Sequence, residues 1–309
     1  MPKPVSRPSS RAKPQRRQQA VSRLNFAMPC DTAFRIVARR HLAELAAHQE
    51  ATGKADPDGL HQMRIALTHL RATVLFFSPM VDDAVGAQLR NELKWLNSLL
   101  GSLRDLDVAI DRVRATNPEQ PDTIPHFQAW RDKRVEGQRE LTQALQSARY
   151  RRLIERLSRW IESGPWSTKA GRQAAQQRGT PIGPYSAEKL GQWEQKLLEK
   201  SRKLRRMSPR KRHRVRLLNK KLNYSIESVA RLLRDKRLSK QRRAIKHLRK
   251  AQKSLGQLND DVRARALLRE LRQEGFKTPM QLLGPKGERR LLRATTEAYR
   301  KLAKLKPWT

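Results

Sequence analysis

HQMRIALTHLRATVLFF, residues 61–77, decides the fold, because HRVRLLNKKLNYSIESV, residues 213–229, repeats its apolar stripe and its leading His and Arg in register. Met63, Ala66, Leu70, Val74 and Phe77 recur at the three- and four-residue spacing of one helix face. An offset of 152 carries them onto Val215, Leu218, Leu222, Ile226 and Val229, all apolar again, and carries His61 onto His213 and Arg64 onto Arg216. Basic and core positions therefore repeat together. A second stretch repeats at an offset of 155, where Leu89, Leu93, Leu96, Leu100 and Leu103 map onto Ala244, Leu248, Ala251, Leu255 and Leu258. Gly101 and Asp105 fall on Gly256 and Asp260.

Working outward, helical periodicity predicts helices over 32–50, 58–78, 83–115, 125–163, 187–206, 209–234, 239–274 and 286–304, with Asp31 or Thr32 as the first N-cap. Strand-like alternation is weak throughout. Residues 1–30 hold seven Lys or Arg, five prolines and no acid, the composition of a disordered basic tail. Gly, Pro, Gln and Ser mark 164–186 as a linker between repeat halves at 31–163 and 187–309. The expected architecture is all-α: two related antiparallel helical bundles packed with pseudo-two-fold symmetry around a basic surface.

The 309 residues include 68 Lys and Arg against 29 Asp and Glu, a net charge of +39. Residues 151–309 alone carry 45 basic and 13 acidic residues, so the excess is concentrated there. Such a field calls for a polyanionic partner. Cys30 is the one cysteine, which excludes an intrachain disulfide and a Cys-based zinc site. No apolar run approaches the roughly 20 residues that cross a bilayer. No secretory signal follows the basic N-terminus, and a soluble intracellular protein is expected.

At 100° per residue, His61, Arg64, Thr68 and Arg71 share an arc of about 80° beside the apolar stripe. His213, Arg216, Lys220 and Asn223 share the equivalent arc, with Lys221 further round. A helix of this length spans roughly 25 Å, enough to lay cations along several phosphates of a chain. An ordinary solvated face explains one such helix; the repeated His and Arg shift the balance to a site. Lys94, Arg104, Lys246, Arg249 and Lys253 on the second repeated segment extend the basic surface. Gly101 and Gly256 fit either a close approach of a helix or ligand, or a plain helix break. Asp105 and Asp260 fit capping or the bracing of an Arg better than catalysis.

HQMRIALTHLR (61–71), LLGSLRDLDV (99–108), HRVRLLNKKLNY (213–224) and LGQLNDDV (255–262) together resemble the signature stretches of CHAD domains, in their order and spacing. Arg149–Leu153 and the ending at Lys306–Trp308 are similar too, so the resemblance spans about 31–308. It implies an α-helical fold of two related bundles whose histidines and cations bind inorganic polyphosphate, in a cytoplasmic protein at polyphosphate granules. His61, Arg64 and Arg71 match the first motif, His213, Arg216, Lys220 and Lys221 the second, and Arg104 and Asp105 the third. Thr68 and His69 depart from the family, which usually has basic residues there, as does Asn223, where it has Arg. Affinity is then expected to lean on the second half, where 200–226 holds twelve Lys and Arg and no acid.

No Walker-type loop, HExxH helix or nucleophile elbow is present, and the E-x-E-x-K signature of the CYTH triphosphatases often joined to CHAD domains is missing. A non-catalytic protein without cofactor or metal is expected. The competing reading is nucleic acid binding, in which the basic tail holds DNA or RNA and links a granule to the nucleoid. Trp95, Trp130, Trp160 and Trp193 lie in helical patterns and read as core, which leaves few aromatics for base stacking. A scaffold receiving an acidic protein is a third class. The sequence leaves the oligomeric state open.

Overall fold

The computed structural model describes residues 25–116, 127–230, 239–273 and 282–306. Among these, every extended element is helical, apart from one isolated antiparallel bridge between Pro29 and Pro181. The first half contributes α1 (Cys30–Ala47), α2 (Gln49–Gly53), α3 (Pro57–Phe76), α4 (Ser78–Val81), α5 (Ala84–Thr116), α6 (Phe127–Gln146) and α7 (Ala148–Ser163). Two short helices follow, α8 (Pro165–Thr168) and α9 (Arg172–Gly179). The second half contributes α10 (Ile182–Ser201), a 3-10 turn at Leu204–Arg206, α11 (Pro209–Ala230), α12 (Ser239–Gln273) and α13 (Pro285–Leu305).

The core follows the repeated stripes. Met63, Ala66, Leu70, Val74 and Phe77 are buried, as are Val215, Leu222 and Ile226, while Leu218 packs partly buried against them. The side chain of Val229 lies outside the described residues. All ten members of the second repeat, Leu89 to Leu103 and Ala244 to Leu258, are buried. The helices bearing the first repeat, α3 and α11, pack directly on one another and join the halves. Burial of these stripes removes apolar surface from water and offsets the chain entropy lost on folding.

Local chemistry sets the helix ends. Asp56 caps α3 by accepting from the backbone N–H of Asp58 and Gly59, with Pro57 in the first turn. The helix expected over 125–163 is two helices, and positions 125 and 126 lie outside the described residues. Ser147 has an extended backbone, and its hydroxyl accepts from Tyr150 N–H, so α7 starts with its own cap. Helix α1 begins before Asp31 and Thr32, because Cys30 N–H donates to the Thr180 carbonyl across 2.9 Å. Asp31 sits in the first turn and pairs with Arg35 instead. The segment 164–186 is not plain linker, since α8, α9 and the start of α10 lie in it.

Of the expected basic tail, residues 1–24 lie outside the described residues. Residues 25–30 are tied down: Ile182 N–H donates to Met28 O and Gly183 N–H to Phe26 O. A Cβ on Gly183 would sit 2.8 Å from Phe26 Cδ1, so glycine admits this crossing. The aromatic centre is near the same place. Phe34 meets Phe77, Trp160 and Trp166 edge-on, with centroids 5.6, 5.6 and 5.2 Å away. Asp83 anchors it by accepting from Trp160 Nε1 and the Trp166 N–H.

Candidate anion-binding site

Arg64 stands one turn into the repeated stretch of α3, half-buried, and its Nη1 donates to the Leu100 carbonyl of α5 at 2.7 Å. That bond fixes a guanidinium over the Gly101 backbone. A Cβ on Gly101 would meet only Arg64 Nη1, at 3.9 Å, and one on Gly256 would meet nothing within 4 Å. Both glycines lie within unbroken helices, which overturns the helix-break reading.

Across the joint, Arg216 of α11 occupies the matching register position. Burial lowers its pKa, Asp260 of α12 opposes that shift, and Arg263 adds to it. Its Nε is buried and has no hydrogen-bond partner among the described residues. An unpaired buried donor on a cation costs free energy that an incoming anion repays. One turn on, Lys220 is pushed down to about 8, first by burial and then by the charges of Arg216, Arg64 and Arg263. Burial likewise lowers Arg64, with Asp105 opposing and Arg104 and Arg263 reinforcing. Arg64, Arg104, Arg216, Lys220 and Arg263, from α3, α5, α11 and α12, thus form one cluster that pays in self-repulsion for being together.

Two carboxylates temper it. Asp105 accepts from Arg263 Nη1 at 2.7 Å, while Asp107 sits 3.0 Å from Arg134 Nε and 3.8 Å from Arg104 Nη1. Asp105 and Asp260 are inside α5 and α12, so they brace or balance arginines and cap nothing. His213, near the start of α11, donates from Nδ1 to Asn259 Oδ1 at 2.7 Å. It helps line a 340 Å³ cavity with Arg210, Arg212, Leu255, Leu258 and Asn259. His61 is exposed one turn before Arg64.

Of the other cations expected in this surface, none is among the charges that act on Arg64, Arg216 and Lys220. Lys221 faces α10, where its Nζ stands 3.6 Å from the Trp193 ring centroid. Arg249 is engaged by Glu227 at 2.9 Å. Lys246 is exposed beside His247, on which its charge and that of Lys301 of α13 both act. Lys94 and Lys253 are exposed, and Lys94 contacts Asn91. Arg71 is half-buried and shifted by burial alone, with no member of the cluster acting on it. The family departures at Thr68, His69 and Asn223 turn inward: Thr68 Oγ1 donates to the Arg64 carbonyl, His69 touches Ser228, and Asn223 Nδ2 donates to Glu227.

Arg263 escaped the sequence reading. At the 155 offset its counterpart is Val108, so the repeat carries no sign of it. A usable signal was its place three residues after Asp260, one turn along the face that holds the repeated acid.

By class this is an all-α domain with a cationic cluster where its two halves meet. The chain belongs to the CHAD domain family, whose family model matches residues 36–269. It is similar in fold to the crystal structure of the CHAD domain from the plant Ricinus communis. The TM-score is 0.68 and the identity 23%, covering 91% of this chain and 89% of that one. No curated protein matches the chain. Among the described residues, no helix is long and apolar enough to cross a membrane.

Proposed function

We propose that the protein binds long-chain inorganic polyphosphate without catalysis, through Arg64, Arg104, Arg216, Lys220 and Arg263, in the cytoplasm at polyphosphate granules. The carrying observation is the cluster of five cations from four helices, in which burial and the charges of their neighbours act together on Arg64, Arg216 and Lys220 and the nearby carboxylates are fewer than the cations. A phosphate chain supplies a charge at every unit and satisfies donors such as Arg216 Nε. Membership in the CHAD family, a family associated with polyphosphate binding, supports the same reading.

Nucleic acid is the competing polyanion. It is disfavoured because Trp130, Trp160 and Trp166 are buried, Trp95 and Trp193 pack against the core, and Phe26 is the one exposed aromatic among the large hydrophobics described. Stacking platforms for bases are therefore scarce. Competition at near-physiological salt tests the proposal, with labelled long polyphosphate displaced by duplex DNA, RNA, pyrophosphate or orthophosphate. Long polyphosphate is expected to compete best, because it alone bridges the cations of both halves without base-specific needs. Equal displacement by DNA at matched phosphate concentration overturns it and favours a link between granule and nucleoid.

A further inference from the structure

On α10, Lys189, Trp193 and Lys196 stand four and three residues apart and so share a face. Against that face α11 sets Lys221, half-buried, with its Nζ 3.6 Å from the indole centroid, while Lys189 Nζ is 5.8 Å from the same centroid. Phe76 closes the region behind the indole, edge-on at 5.8 Å. Glu188 acts on Lys189, whereas the charges that act on Lys221 are Lys189 and Lys196, both positive. Two amines thus stand at one aromatic ring, Lys196 adds a third positive charge from the same helix face, and among the described residues no acid is among the charges that act on Lys221.

We propose that Lys221 is a site of covalent acylation, its amine taking the acyl group from an acyl phosphate whose phosphate is held by Lys189 and Lys196. The neutral amine attacks the acyl carbonyl, forming a C–N bond. The C–O bond to phosphate breaks, and inorganic phosphate leaves. The nitrogen gives up one proton to solvent, and an amide remains. Burial first, then the neighbouring ammonium groups, push the Lys221 amine down to about 8, and these effects prevail over the indole, which favours the charged form. A lysine desolvated beside other cations is the standard way to make this amine nucleophilic near neutral pH. Acylation removes one positive charge and the indole contact from the α10–α11 face. The central cluster is left intact, so the inference does not depend on the proposed function.

The test exposes the full chain briefly to acetyl phosphate across pH 7 to 10 and measures acetylation at each lysine by peptide mass spectrometry. At pH 7.5 Lys221 is expected to react about tenfold faster than exposed Lys94, Lys246 and Lys253, and its rate to level off above about pH 8. A double Lys189→Gln, Lys196→Gln variant should lose most of that advantage toward acetyl phosphate, and lose less toward a neutral N-hydroxysuccinimide ester. Circular dichroism establishes that the variant is folded. If Lys221 reacts no faster than the exposed lysines in the folded wild type, or its rate climbs without a plateau to pH 10, the proposal is overturned.

Discussion

Arg263 of α12 donates to Asp105 of α5 across 2.7 Å, so each half of the chain supplies one partner of this ion pair. Both side chains are more than half exposed, and such pairs contribute little to stability. The effect of Asp105 lies in the site, where its negative charge opposes the shift that burial imposes on Arg64. A bound phosphate must compete with it. Asp105→Asn is therefore expected to tighten polyphosphate binding about two- to fivefold, with stability unchanged within about 0.5 kcal/mol. Titration calorimetry and urea unfolding check the two halves of this statement, and weaker binding would remove Asp105 from the site.

Arg64 and Arg216 occupy one register position and differ in their bonds. Arg64 already donates to the Leu100 carbonyl, whereas Arg216 keeps a buried Nε without a partner among the described residues. Arg216→Gln should cost polyphosphate affinity about five- to thirtyfold and leave stability unchanged or improved. Arg64→Gln should lose affinity and also about 1 kcal/mol of stability, through the lost bond to α5. Each substitution should flatten the salt dependence by about one counterion. A truncation of residues 1–24 is expected to alter affinity less than either. Binding that vanishes with the truncation and survives both substitutions would move the site to the tail.

Lys220 fixes the pH dependence. Its free-state pKa is pushed down to about 8, and a bound polyanion raises it. The affinity contributed by this charge is fully present below about pH 8 and is lost as pH rises through the higher bound-state value. Stability runs the other way. The unfolded chain holds this proton more tightly than the folded one, so stability increases between about 8 and the ordinary lysine value. Lys220→Met is expected to flatten affinity against pH, weaken it below pH 8, and raise stability at pH 7 by about 1 kcal/mol. Calorimetry from pH 7 to 10 and thermal melts read these out. An unchanged pH slope in the variant would exclude Lys220 as its source.

The all-helical fold was legible because core stripes must repeat with the helix period whatever the partners. Met63 to Phe77 and Leu89 to Leu103 are buried as their spacing requires. Helix ends were less legible, since they depend on distant atoms: the start of α1 is set by the Thr180 carbonyl, and nothing around Cys30 encodes that. The site was legible where a cation stands beside a repeated stripe, as Arg64 and Arg216 do. Register fixes a side chain's angle on its own helix but not which neighbour it meets. Lys220 and Lys221 are consecutive and face different partners, the central arginines and Trp193. Charge alone likewise grouped Arg249 with the surface, although Glu227 already holds it.

His69 stands where the family usually has a basic residue, and its burial points to a different use. Its Nδ1 is 3.3 Å from Ser228 Oγ, and His41 Nε2 is 3.2 Å from the same oxygen, the two rings stacking at 5.2 Å. All three residues are at most 3% exposed. Glu44 meets His41 Nδ1 at 3.0 Å, and Glu227 lies 3.8 Å from His69 Nε2 while holding Arg249. One serine of α11 thereby ties α1 and α3 of the first half to the second. A hydroxyl can donate once and accept from the other side, which suits two imidazoles at once; alanine can do neither. Ser228→Ala should lower the free energy of unfolding by about 1–3 kcal/mol, the cost of removing a buried shared hydrogen-bonding group. Polyphosphate affinity should be unchanged under native conditions, because Arg64, Arg216, Lys220 and Arg263 keep their places. Urea unfolding and calorimetry on the same preparation separate these effects. A variant as stable as wild type would show that apolar packing of α3 on α11 joins the halves without this polar contact.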